Sequence, residues 1–173
     1  MPDVSKTITA LQQVAEAVGK AQAATAQFDA RAHQVQNRVG GQGFRKMADR
    51  LGSARERLKP IRDMQTGVAA TTKSTVELVQ RVTDDMSPAG VEATLSPAAK
   101  QVGSASTAAS ASTAQLDNLA AEIADILRGG KPGPLVGLVN QIKQATVQVS
   151  AGLDKAKATI EETIEAVREA GNF

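Results

Sequence analysis

Residues 44–86, FRKMADRLGSARERLKPIRDMQTGVAATTKSTVELVQRVTDDM, carry the pattern that decides the fold. Positions 44, 47, 51, 54, 58, 61, 65, 68, 72, 75, 79, 82 and 86 read Phe, Met, Leu, Ala, Leu, Ile, Gln, Val, Thr, Thr, Val, Val and Met. Steps that alternate between three and four keep these residues in one stripe along an α-helix. Pro60 lies inside the stripe, between Leu58 and Ile61. Its missing N–H leaves the Glu56 carbonyl without a helical partner, at a cost of about 3 kcal/mol or more. The stripe continues on both sides, so a kink is expected there rather than a stop.

Working outward, the preceding stretch has the same period. Val4, Leu11, Val18, Thr25, Ala32 and Val39 hold one heptad position, and Val14, Ala21, Phe28 and Val35 hold the complementary one. Gly40-Gly41-Gln42-Gly43 ends it, as glycine does at a helix C-terminus. A joint this short requires the flanking helices to run antiparallel. The second half follows the same scheme. Leu95, Val102, Ala109, Leu116 and Ile123 alternate with Ala98, Ala105, Ser112, Leu119 and Ile126. Gly129-Gly130-Lys131-Pro132-Gly133-Pro134 then breaks the helix, and a return stripe runs from Val139 to Ala170.

The glycine pairs at 40 and 129 lie 89 residues apart, and TVELV at 75–79 matches TIEAV at 163–167 at a spacing of 88. This agreement suggests an internally duplicated helix–turn–helix unit. The expected organisation is two hairpins: residues 1–86 with a turn at 40–43, and residues 87–173 with a turn at 129–134. Ser87-Pro88 supplies an N-cap and first-turn pair for the second hairpin. A helix is expected from about Pro88, kinked or restarted at Pro97. The fold class is all-α. The two long antiparallel hairpins are expected to form one elongated four-helix bundle or a coiled-coil-like assembly.

Composition agrees with long helices rather than a dense globule. Of 173 residues 42% are hydrophobic, yet only three are Phe and none is Trp or Tyr. Alanine makes helices readily but adds little buried area, so the core must be thin and spread along the helices. The run Gly103–Ala114, GSASTAASASTA, keeps the stripe with small residues. It is expected to pack close to its neighbours and to open easily. With no cysteine, disulfides and thiol chemistry are excluded. MPDVSKTITA shows no signal-peptide pattern, and nowhere do 18 apolar residues run together. A cytoplasmic protein is expected, with leaderless export as an alternative.

Charge supplies the one candidate surface. Residues 1–86 hold 13 Lys and Arg against 9 Asp and Glu, whereas residues 87–173 hold 7 against 9. Opposite signs, net +4 and −2, help the hairpins find each other. With Val4 and Phe44 at heptad position a, Arg31, Arg38, Arg50 and Arg57 all fall at g. In an antiparallel hairpin they would line one edge near the first turn. That edge is either a solvated face neutralised by acids of the second hairpin or a docking edge for an acidic partner or polyanion. Asp29 and Arg55 both fall at e and can pair across the opposite edge. No aromatic residue is interleaved for base stacking, so nucleic acid is not an expected partner.

No constellation for catalysis, cofactor or metal emerges. Glu161, Glu162, Glu165 and Glu169 read as a solvated face, and His33 lacks the Glu three residues earlier that a bundle metal site uses. The glycine-rich turns lack the strand context and Lys-Ser/Thr ending of a phosphate loop. The expected role is therefore a non-enzymatic interaction or scaffold protein that binds another protein or itself.

The passages GGKPGPLVGLVNQI at 129–142 and AKATIEETIEAVREAG at 156–171 carry a resemblance. With the Gly-Gly joint they resemble a group of uncharacterised actinomycete proteins, alanine-rich helical hairpins of unknown function. That resemblance implies a helical fold and no particular activity. The hairpin shape is also similar to substrates of type VII secretion, which implies the alternative of an exported effector or carrier. Those substrates carry a Trp-x-Gly turn and a Tyr-bearing export signal, and this chain has neither Trp nor Tyr. The Ser/Thr/Ala-rich helices are similar, too, to chemoreceptor signalling rods.

Overall fold

A computed structural model describes residues 2–172, so Met1 and Phe173, the outer ends of the two expected halves, lie outside the described residues. Five helices follow in order: α1 (Ser5–Gly41), α2 (Arg45–Glu56), α3 (Leu58–Gln80), α4 (Pro88–Ile126) and α5 (Gly133–Gly171). The described residues include no strand.

Local chemistry sets the boundaries. After α1, Gly43 takes φ +91°, a conformation that glycine adopts without a Cβ penalty. The amides of Gln42, Gly43 and Phe44 donate to the carbonyls of Arg38, Gly40 and Val39. Gly129, at φ +89°, reverses the chain after α4 in the same way. The Ser87 hydroxyl accepts the Gly90 amide at 3.1 Å, with Pro88 at the first helical position.

The prolines resolve differently from one another. A single residue, Arg57, separates α2 from α3, and it keeps helical dihedrals of φ −66° and ψ −13°. The interruption makes Pro60 the third residue of a new helix, where the amides have no intrahelical acceptor in any case. The chain therefore breaks for one residue and keeps its stripe. By contrast α4 runs through Pro97 without restarting. Pro97 and Ala93, whose carbonyl loses its partner, are both exposed. The unpaired group therefore faces solvent.

The stripe of α2 and α3 is buried from Leu51 to Val79, and its ends are corrected by the structure. Phe44 is 57% exposed, while Met47, Val82 and Met86 are half-buried. Phe44 stands in the turn, and Val82 and Met86 lie in the connection to α4, where the helix has ended.

Packing closes a ring. α1 lies against α2, α3 and α5, and α4 lies against α5, α3 and α2. The chain runs up-down-up-down, with α2 and α3 together forming one return path. Both turns lie at one end, called here the tip; the start of α1, the 81–87 connection and the end of α5 form the tail. Phe28, Leu51, Leu58, Leu116, Ile123 and Ile142 belong to a core cluster toward the tip. Leu11, Val14, Leu95, Val102, Leu153 and Ile160 belong to a second cluster toward the tail.

Each of α1, α3, α4 and α5 places a buried polar residue near mid-bundle: Thr25, Gln65, Ser112 and Thr146. Gln65 Nε2 donates to Thr25 Oγ1 at 2.8 Å. Thr25, Ser112 and Thr146 donate to the Ala21, Ala109 and Ile142 carbonyls of their own helices, each at 2.8 Å. Satisfied hydroxyls cost little to bury. The small-residue run 103–114 is helical throughout, and Ser110 and Ser150 hydroxyls meet at 2.8 Å across α4 and α5.

Candidate interaction surfaces

The four arginines at position g separate into two pairs. Arg50 donates to Asp125 at 2.8 Å, and Arg57 pairs with Glu122 at 2.5 Å, so both reach α4 of the second hairpin. The Arg50 hydrogen bond and the charges of Arg128 and Arg50 lower the Asp125 pKa from its usual value. Arg31 and Arg38 are exposed on α1, and among the described residues the Arg31 guanidinium donates to Gln34 alone, at 3.5 Å. They lie 18 residues beyond Gln13 and Lys20, which line the seam between α1 and α5. Eighteen residues are about five whole turns, so Arg31 and Arg38 share that flank. In a closed ring, g turns α1 toward α5 and α2 toward α4.

At position e the hairpin makes its own contact. Arg55 Nε and Nη2 donate to the two oxygens of Asp29 at 2.9 and 3.3 Å, a bidentate pair. Its Nη1 also donates to Gln36 Oε1 at 3.0 Å and to His33 Nδ1 at 2.8 Å. Arg62 adds a contact to Asp29 at 3.2 Å. The Arg55 hydrogen bond is the main reason that the Asp29 carboxyl is held below its usual pKa. His33 is thus a satisfied acceptor on an exposed surface. Glu161, Glu162, Glu165 and Glu169 are all exposed. Among the described residues no group of three or more His, Asp or Glu stands where a metal could be held.

Concave surface lies along several seams of the bundle, the largest, about 720 Å³, between α4 and α5, and two apolar grooves flank α3. Between α1 and α3 lies a groove of about 440 Å³ walled by Leu11, Ala15, Val18, Ala69 and Val76. Between α3 and α4 lies another of about 570 Å³, walled by Met64, Val68, Ala105 and Ala108. Small α3 residues line both, Ala69 and Thr72 in the first and Gly67 and Thr71 in the second. C-terminal to Gln65, the side-chain hydroxyls of α3 bond within the helix, from Thr72 to Val68 and from Thr75 to Thr71. Sequence reasoning placed the stripe but not the grooves, because these depend on how far α3 stands from α1 and α4.

Fold and surfaces define an all-α bundle of two antiparallel hairpins. Among the described residues no helix is long and apolar enough to cross a membrane. The chain belongs to the family of unknown function DUF6244, whose model matches residues 86–172, the second hairpin. No curated protein matches the chain, and no solved structure does.

Proposed function

We propose that this protein is a non-enzymatic interaction protein whose helical faces bind another protein or a second copy of itself. The observation that carries this reading is the pair of grooves flanking α3. Each is open and lined by aliphatic side chains with a polar margin, a surface that suits the apolar face of an amphipathic helix. Exposed alanines, Ala15 in one groove and Ala108 in the other, let a partner backbone approach closely.

Light scattering over a range of concentrations, together with capture from the native lysate, tests the reading. Self-association, or a captured protein that Ala15→Glu or Ala108→Glu releases, is the expected result. Both substitutions lie on exposed helix positions and leave the fold intact. A chain that stays monomeric and retains nothing sensitive to either change would overturn the proposal.

A further inference from the structure

The two ends of the bundle are complementary. At the tip, residues 38–50 and 122–133 hold six Lys and Arg against three acids, net +3. At the tail, residues 2–7, 81–92 and 159–171 hold eight acids against three Lys and Arg, net −5. The tip also carries Phe44, one of only three Phe in the chain, 57% exposed and followed directly by Arg45 and Lys46.

The tail carries a recess of about 390 Å³. It exists because α5 outruns α1. Thr7 bonds Thr159 at 2.8 Å and the Asp3 carbonyl accepts from Thr163 at 3.4 Å, yet α5 continues to Gly171. Its last two turns lie against the start of α4 with no helix of the first hairpin beside them. Met86, Val91, Val167 and Ala170 supply apolar walls, and three acids, Asp3, Asp84 and Glu162, stand around them against one cation, Lys6. A cavity of about 150 Å³ holds a benzene ring, so a phenyl side chain fits here with room to spare.

We infer that the tail recess takes the tip of a second copy of this chain, with Phe44 in the recess and Arg45 and Lys46 against its acidic rim. This deepens the self-association branch of the proposed function and rests on it. The contact is heterologous: each copy uses its tip on one neighbour and its tail on another, so it generates an open head-to-tail row. A joint of one aromatic knob and a few ion pairs is small, so assembly is expected to be weak and to need high concentration. The charge match makes it sensitive to salt, since screening at about 0.5 M reduces attraction between exposed charges to a few ångströms.

Two exposed positions test the joint without touching the core: Phe44→Ser removes the knob, and Ala166→Arg puts a cation and bulk at the recess. Sedimentation at low salt should show the full chain forming a ladder of sizes with concentration. Each variant should lose at least about tenfold in association constant. Mixing the two variants should restore one intact joint and give a one-to-one dimer that does not extend. A full chain that stays monomeric would overturn the inference, and so would association indifferent to both substitutions or variants that fail to complement each other. Binding of anionic lipid vesicles through Phe44 without self-association would overturn it as well. A monomer that still captures a groove-dependent protein from lysate would end the head-to-tail inference and leave the proposed function standing.

Discussion

Gly152 shows how tightly single residues are constrained along α5. A Cβ added there would come within 2.7 Å of Val14 Cγ2, and Val14 is fully buried on α1. Gly152→Ala is expected to destabilise by about 1–3 kcal/mol, since a β-branched neighbour in a packed seam has little room to yield. Gly19→Ala and Gly67→Ala meet nothing within 4 Å and lie within helices. They should instead stabilise by up to about 1 kcal/mol. Urea titration of the three variants checks both signs. A second prediction concerns Asp29, whose folded pKa is lowered chiefly by Arg55. A lowered carboxyl contributes stability above its unfolded value of about 3.9 and loses it as pH falls through the folded value. Asp29→Asn should cost about 0.5–1 kcal/mol at pH 7, the pair being partly exposed, and the gap should close toward pH 3. This pair was legible in the sequence, because it depends only on the register within one hairpin. The partners of Arg50 and Arg57 were not, because they depend on how the two hairpins slide past each other.

Among the helices, α3 is held least. Its core stripe from Gln65 to Thr75 reads Gln, Val, Thr and Thr, and open grooves run along both of its flanks. Local opening costs little where few apolar contacts must be broken. Amides of residues 66–80 are therefore expected to exchange with deuterium about tenfold or more faster than those at the centre of α5. Thr72→Val with Thr75→Val removes two hydroxyls that only serve their own helix and adds buried methyl surface. That double variant should slow exchange along α3, and unchanged exchange would show that the polar stripe is not the cause. The run 103–114 meets α5 through Ser106, Ser110, Ser150 and Asp154, contacts that its small-residue stripe does not reveal. Periodicity therefore located every long helix, while the tightness of each depended on cross-helix bonds that no single stripe contains. The same holds for the prolines. Position in sequence flagged Pro60 and Pro97, but exposure and the chance to restart a helix decided their outcomes.

At the scale of the molecule, neither hairpin owns its core. The tail cluster draws Leu11 and Val14 from α1, Val68 and Val79 from α3, Leu95 and Val102 from α4, and Leu153 and Ile160 from α5. The tip cluster is likewise shared, with Phe28, Leu51 and Leu58 meeting Leu116, Ile123 and Ile142. Separating the chain at the 81–87 connection would expose both clusters along their full length, and isolated helical hairpins gain too little from local bonds to compensate. Residues 1–86 and 87–173 expressed apart should thus each show helical circular dichroism but melt broadly. Mixing them should recover a sharper transition at higher temperature. Recovery should be stronger in dilute salt, because Arg50 meets Asp125 across exposed surface and Arg57 meets a partly buried Glu122 between the hairpins. The full chain should melt in one transition, since breaking the seam between α1 and α5 dismantles both clusters together. Two separate sharp melts for the isolated halves would instead mean that each hairpin is a domain in its own right. The shared core would then be a docking interface between finished units.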